Sequence, residues 1–152
     1  MAVTKILYRN GGLQQAIDYI TYPAKTNEQL LTDYVRCDPG YAAQQMMDTK
    51  RALGKTAGRQ CYHIIQSFKP DEITPELAHE IARQFAAAHL PGYEAVIATH
   101  VDKAHIHSHI VFNSVNAVTG KMYHSTRENY YKQIRGVSDR LCNCLLYTSP
   151  SP

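Results

Sequence analysis

The sequence predicts an α/β (α+β) domain: a central, largely antiparallel β-sheet flanked by helices. Three observations carry this. Two strand-like runs, "YEAVIATH" and "HIHSHIVFNSV", are separated by only a few polar residues and read as an antiparallel hairpin. Helical stripes of unequal length separate the other strand-like runs, with no regular βαβ rhythm. The chain has 152 residues, enough for one domain with a single sizeable core, and it shows no internal repeat.

Along the chain, "TKILYR" is short and β-rich, and the turn signal Asn10-Gly11-Gly12 follows it. From Leu13, apolar residues at Ala16, Ile17 and Ile20 form one helical stripe that Pro23 ends. Tyr19 lies on the flank of that stripe, where a half-buried packing tyrosine is the plain expectation. "QLLTDYVRC" reads as a strand, although "EQLL" could close a helix. "YAAQQMMDTKRAL" reads as a helix and "RQCYHIIQSF" as a strand. Thr74, Pro75 and Glu76 supply an N-cap, a proline at the first helical position and an acid in the first turn. Leu77, Ile81 and Phe85 then repeat every four residues in a helix reaching about Leu90. A last helix starts near Ser125 or Thr126 and carries Tyr130, Ile134, Val137 and Leu141.

Composition bounds the function classes. Hydrophobic residues make 44% and charged residues 19%, and no apolar run reaches the ~20 residues needed to span a bilayer. The N-terminal residues lack a signal peptide's apolar core and cleavage site, so a soluble cytoplasmic protein without membrane insertion is expected. Cys37, Cys61, Cys142 and Cys144 form no C-x-x-C pair, which indicates ordinary thiols. The net charge of +3 permits nucleic-acid binding without requiring it. The end, "CLLYTSPSP", breaks the preceding helical pattern. Residues 1–143 are therefore expected to form the domain, possibly truncated, with 144–152 a non-native or disordered tail.

The stretch "THVDKAHIHSHIVFNSVN" concentrates four of eight histidines. On a strand, alternate side chains share a face, so His105, His107, His109, Val111 and Asn113 face one way and Ile106, Ile110 and Phe112 the other, which is expected to be the core side. Same-face neighbours lie ~6.5–7 Å apart, and two imidazoles at that spacing can converge on one ion at ~2.0–2.2 Å per bond. His107 and His109 form such a pair, and the hairpin brings His100 back as a third ligand. Strand geometry leaves His105 as an alternative. Three neutral histidines leave coordination positions open, as a catalytic site requires. His63 reads as a core or sheet-face histidine, and His79, His89 and His124 as solvated positions.

These residues resemble a known family. "HVDKAHIHSH" followed by "IVFN" resembles the third motif of the relaxase and mobilization-nuclease family (MobA/VirD2-like), a branch of the HUH endonucleases. "LQQAIDYITYPAKT" resembles its first motif and "YHIIQSFKPDEITPELAHEIA" its second, in the family's order across residues 6–113. The resemblance implies an HUH-type fold and nicking of one DNA strand at a plasmid or mobile-element transfer origin. The tyrosine becomes linked to the 5′ phosphate and a 3′ hydroxyl is left free. By position, Tyr19 is the implied nucleophile, and His100, His107 and His109 the ligands of a divalent metal, Mg²⁺ or Mn²⁺ with Zn²⁺ as an alternative. Ser67 is the implied DNA-binding residue, and Asp102 the acid that orients a histidine or takes the tyrosine proton. Implied partners are single-stranded origin DNA, accessory origin-binding proteins and a type IV secretion coupling protein, with transfer to a recipient cell alongside the DNA.

Tyr22 competes with Tyr19, three residues away on a neighbouring helical face; Ile20 after Tyr19 matches the family pattern. Tyr130 and Tyr131 follow the histidines, as in rolling-circle initiators, but Lys132 stands in the wrong register for that branch. Two other function classes stay open at this point. One is a metal-dependent phosphodiester hydrolase that uses no tyrosine, and the other a non-catalytic DNA-binding fragment.

Overall fold

The computed structural model describes residues 2–26, 31–101 and 104–148. Five strands form one sheet: β1 (Val3–Arg9), β2 (Thr32–Val35), β3 (Cys61–Phe68), β4 (Ala95–His100) and β5 (Ile106–Asn113), in the order β1-β3-β5-β4-β2. Every neighbouring pair is antiparallel. The helices are α1 (Leu13–Ile20), α2 (Ala42–Ala52), α3 (Pro75–His89) and α4 (Gly136–Thr148), the last entered through a π-helical segment, Asn129–Arg135. This is the α+β architecture that the hairpin and the uneven helical stripes predict.

Local chemistry accounts for the elements. Gly12 precedes α1 at φ 68°, a left-handed conformation that favours glycine. Leu13, Ala16, Ile17 and Ile20 are the buried residues of that helix. Eight residues form a marginal helix alone. Burying Leu13, Ile17 and Ile20 at ~1.5–3 kcal/mol each therefore decides its position. The Thr74 hydroxyl accepts from the Leu77 amide at 3.2 Å, the expected cap of α3. Thr126 does the same for Asn129 at 3.0 Å, where the last helix was expected to begin.

The sheet is covered on both faces. Ala82, Phe85 and Ala86 of α3, with Ile134, pack on Tyr62, Ile64, Ile97, Ile110 and Phe112. Residues of α1 and α2, including Ile17, Ile20 and Met46, pack on Val96, Ala98 and Val111 of the opposite face. This corrects the expectation that only the Ile106–Ile110–Phe112 side faces a core. The strand's period assigns the two faces correctly, but β5 is the central strand and helices lie on both sides of it, so Val111 and Asn113 are fully buried.

At the far end of that face, Lys50 is fully buried and its ammonium donates to the Asn113 side-chain oxygen. The Asn113 amide donates to Glu94 at 2.9 Å, and Thr49 donates to the other Glu94 oxygen at 2.9 Å. This network ties α2 to β5 and to the residue that precedes β4.

Two further expectations change. Helix α4 continues through Thr148, beyond the break expected at Cys144, because Leu141, Cys142 and Leu145 extend one apolar stripe onto Phe68 and Ile81. His79 is buried rather than solvated: Nδ1 lies 2.8 Å from the Thr99 hydroxyl and Nε2 2.5 Å from Asp33, linking α3 to β4 and β2. The four cysteines are free thiols, and no described helix is long and apolar enough to cross a membrane.

Candidate active site

Strand register builds the floor of the site. His100 pairs with His107 across β4 and β5, Ser67 pairs with His107 across β3 and β5, and Val3 pairs with Ser67 across β1 and β3. One row of the sheet thus reads Val3, Ser67, His107, His100. The next row on the same face brings Lys5, Ile65 and His109 together. These residues, with Tyr19 and Lys25, line a cavity of about 320 Å³.

Helix α1 brings Tyr19 over this floor. Its ring centroid lies 5.8 Å from that of His100 and 6.4 Å from that of His109, both edge-on. Ile17 and Ile20 are buried beneath it, whereas Tyr19 is 50% exposed, so the helix is anchored while the phenol stays open to a substrate. Nε2 of His100 lies 3.0 Å from the Ile20 carbonyl oxygen. A carbonyl only accepts, so His100 donates from Nε2. The Lys25 ammonium stands 4.4 Å from the centre of the Tyr19 ring, and the Val101 amide holds the Lys25 carbonyl at 2.7 Å.

His109 is 6% exposed, and its Nδ1 lies 2.7 Å from Nε2 of His63, itself 7% exposed. Burial, then the nearby His100, His63, His107 and Lys25, pushes the His109 imidazole down to about 2. Burial, then Arg9 and His100, takes His63 to about 4. Both rings are therefore neutral near pH 7, the form in which imidazole ligates metals. The cavity lining contains two ammonium groups, three imidazoles, a phenol and a serine hydroxyl, with no carboxylate among the described residues. Such a lining suits an anionic phosphodiester.

The donor set fits a divalent cation in kind: three imidazoles on adjacent register positions line one cavity. Ring centroids are 4.0 Å apart for His100 and His109 and 6.3 Å for His107 and His109. Among the described residues, no three His, Cys, Asp or Glu side chains stand close enough to enclose an ion in the arrangement present.

Five of the six residues singled out from the sequence, Tyr19, Ser67, His100, His107 and His109, line one cavity. Asp102 lies outside the described residues. His105 precedes β5, is exposed and stacks on His107 at 6.3 Å without lining the cavity. Tyr22 is exposed away from the cavity, and the Tyr130 hydroxyl donates to the Thr4 carbonyl at 2.6 Å. Sequence reasoning missed Lys5 and Lys25, and it gave His63 no functional part. For His63 the available signal was its i, i+4 spacing from Ser67 on one strand, which puts both on one face.

Comparison with known proteins adds relatives. The family described as "Relaxase: MobA/VirD2-like, nuclease domain" matches residues 19–144. The chain is 35% identical over 142 residues to "Protein rlx" of Staphylococcus aureus, covering 93% of this chain and 43% of that protein. It is 58% identical over 64 residues to "Group II intron-interrupted relaxase LtrB" of Lactococcus lactis subsp. cremoris (strain MG1363), covering 41% of this chain and 11% of that protein. The chain thus spans less than half the length of these curated relatives. A solved structure described as "Molecular Basis of Vancomycin Resistance Transfer in Staphylococcus aureus" shares the fold, with a TM-score of 0.63 at 11% identity, covering 95% of this chain and 93% of that one.

Proposed function

Because this chain belongs to the MobA/VirD2-like relaxase nuclease family, we propose that it nicks one DNA strand at a transfer origin by tyrosine transesterification. The observation that carries the proposal is the placement of the Tyr19 ring 5.8 Å from His100, above a cationic cavity that also contains Ser67.

In this reading the Tyr19 phenolic oxygen attacks the scissile phosphorus. The new oxygen–phosphorus bond forms as the bond to the 3′ oxygen breaks, and the phenolic proton leaves to a base, for which Asp102 is the candidate. The 3′ oxygen departs with the bonding electrons and takes up a proton, giving a free 3′ hydroxyl and a 5′-phosphotyrosine. A phenol with an ordinary pKa near ~10 needs help to lose its proton at neutral pH. Lys25, over the ring face, adds positive charge beside the phosphate that meets the phenol. Ser67 donates a hydrogen bond to the DNA backbone beside the reacting phosphate. His100, His107 and His109 would hold the divalent cation, Mg²⁺, Mn²⁺ or Zn²⁺, whose chemistry there is to draw charge from a non-bridging phosphate oxygen. The phosphotyrosine conserves the energy of the diester bond, so a second 3′ hydroxyl can reverse the step and rejoin the strand.

The reading places the protein in the cytoplasm of a donor cell, with accessory origin-binding proteins and a type IV secretion coupling protein as partners and passage to the recipient with the DNA. Its test is incubation with Mn²⁺ and labelled single-stranded oligonucleotides carrying candidate origins, followed by denaturing electrophoresis and mass mapping. A 5′ adduct on Tyr19 is expected. Cleavage without an adduct would assign the site to a hydrolase instead.

A further inference from the structure

We infer that His63 is a positioning residue that accepts the Nδ1 proton of His109 and so presents the Nε2 lone pair of His109 to the cavity. The inference rests on the reading of His100, His107 and His109 as the ligands of a cation.

The geometry allows few arrangements. Nε2 of His63 and Nδ1 of His109 are 2.7 Å apart, the ring centroids 4.9 Å apart, and both rings are more than nine-tenths buried. Two ring nitrogens at that distance share a single proton. If His63 donated it, the one remaining proton of neutral His109 would sit on Nε2, and His109 would offer the cavity a donor instead of a lone pair. If His109 donates it, Nε2 is left unprotonated and His63 keeps its own proton on Nδ1. Only the second arrangement makes His109 a ligand. A metal-bound histidine commonly donates its other N–H to a carboxylate, a carbonyl or water, which fixes the tautomer and the ring plane. Here an imidazole on the adjacent strand takes that part.

The placement of His63 supports a directed role. It sits on the face of β3 that also carries Ser67, in register with Leu7 on one side and Val111 on the other. A purely space-filling residue between two aliphatic neighbours would be better served by an apolar side chain, since a buried polar group is costly unless it is paired. The partner that repays that cost is His109. His100 is oriented differently, by donation from Nε2 to the Ile20 carbonyl.

The test uses the chain with ¹⁵N-labelled histidine, its His63→Leu and His63→Gln variants, and Mn²⁺ as the probe. Imidazole nitrogen shifts report which nitrogen of His109 is protonated. Calorimetric titration reports Mn²⁺ affinity, and thermal melting without metal reports the fold. The wild type is expected to show His109 protonated on Nδ1. His63→Leu is expected to lose roughly 10- to 100-fold in Mn²⁺ affinity. His63→Gln, whose side-chain oxygen can accept the same proton, should recover most of that loss. Should His63→Leu fail to fold, the nitrogen shifts of the wild type and the affinity of His63→Gln decide the matter. A His109 proton on Nε2 in the wild type, or a folded His63→Leu that binds Mn²⁺ as tightly as wild type, overturns the inference while leaving the ligand set standing. Failure of the wild type to bind Mn²⁺ overturns the ligand set and this inference with it.

Discussion

His100 donates from Nε2 to the carbonyl oxygen of Ile20 at 3.0 Å, joining the end of β4 to the last residue of the helix that carries Tyr19. This hydrogen bond ties the histidine floor directly to the helix that carries the phenol. Tyr19→Phe removes only the exposed hydroxyl oxygen. It should abolish strand cleavage and the covalent adduct while moving the melting temperature by no more than a degree or two. Tyr22→Phe should leave both intact. Quantitative gel assays of the two variants separate these outcomes, and residual adduct in Tyr19→Phe would move the nucleophile elsewhere.

Anchoring of α1 is a matter of packing. Ile17 and Ile20 are 4% and 0% exposed beneath the helix. Replacing either with alanine removes buried methylenes and leaves a partial cavity, an expected loss of about 2–5 kcal/mol. Urea denaturation should show the lower midpoint. Because the same helix carries Tyr19, activity at temperatures below the new transition should also fall.

Lys5 and Lys25 supply the ammonium groups of the cavity. If they meet phosphates, Lys25→Ala and Lys5→Ala should each weaken single-stranded DNA binding across sequences. Each should also lower the slope of log affinity against log salt by about 0.7, the single-strand value per phosphate contact. Fluorescence anisotropy at several salt concentrations measures both. Unchanged slopes would place the phosphate track elsewhere.

The buried network around Lys50 predicts a coupling. Lys50 donates to Asn113 and Asn113 to Glu94, so Glu94→Ala leaves the buried ammonium without its countercharge and Lys50→Met leaves the buried carboxylate without its own; each should cost about 3–5 kcal/mol. The double variant should cost less than the sum of the two. Chemical denaturation of the three variants measures the coupling. Burial already lowers the Lys50 ammonium to about 8, opposed by Cys61 and Glu94.

His89 gives stability a pH dependence. Burial lowers its imidazole to about 4, and its Nε2 lies 2.6 Å from the Tyr123 hydroxyl. Its unfolded value is near ~6.5, so between these values the unfolded chain binds the proton and the folded chain does not. This contribution is therefore intact above about pH 6.5 and is lost as the pH falls toward 4. Melting temperatures across that range should decline, and less steeply in His89→Gln.

What the sequence determined by itself is whatever short-range geometry dictates. A strand repeats every two residues, so His107 and His109 share a face whatever the rest of the chain does. A hairpin of a few residues returns His100 to them, and the stripe of Leu13, Ala16, Ile17 and Ile20 leaves Tyr19 on the flank of its helix. The family motifs then pointed to Ser67, which no periodicity singles out. Tertiary structure decided the rest. Placing β3 and β1 beside β5 is a choice among long-range pairings, made by the burial of whole faces rather than by local pattern, and it alone sets Ser67 beside His107 and brings Lys5 to the cavity. It also turned His79 inward and put a helix layer over part of the histidine face. Above all, it set His63 against His109, a contact between residues 46 positions apart. Local periodicity cannot encode that contact, because its energy exists only once the two strands lie side by side.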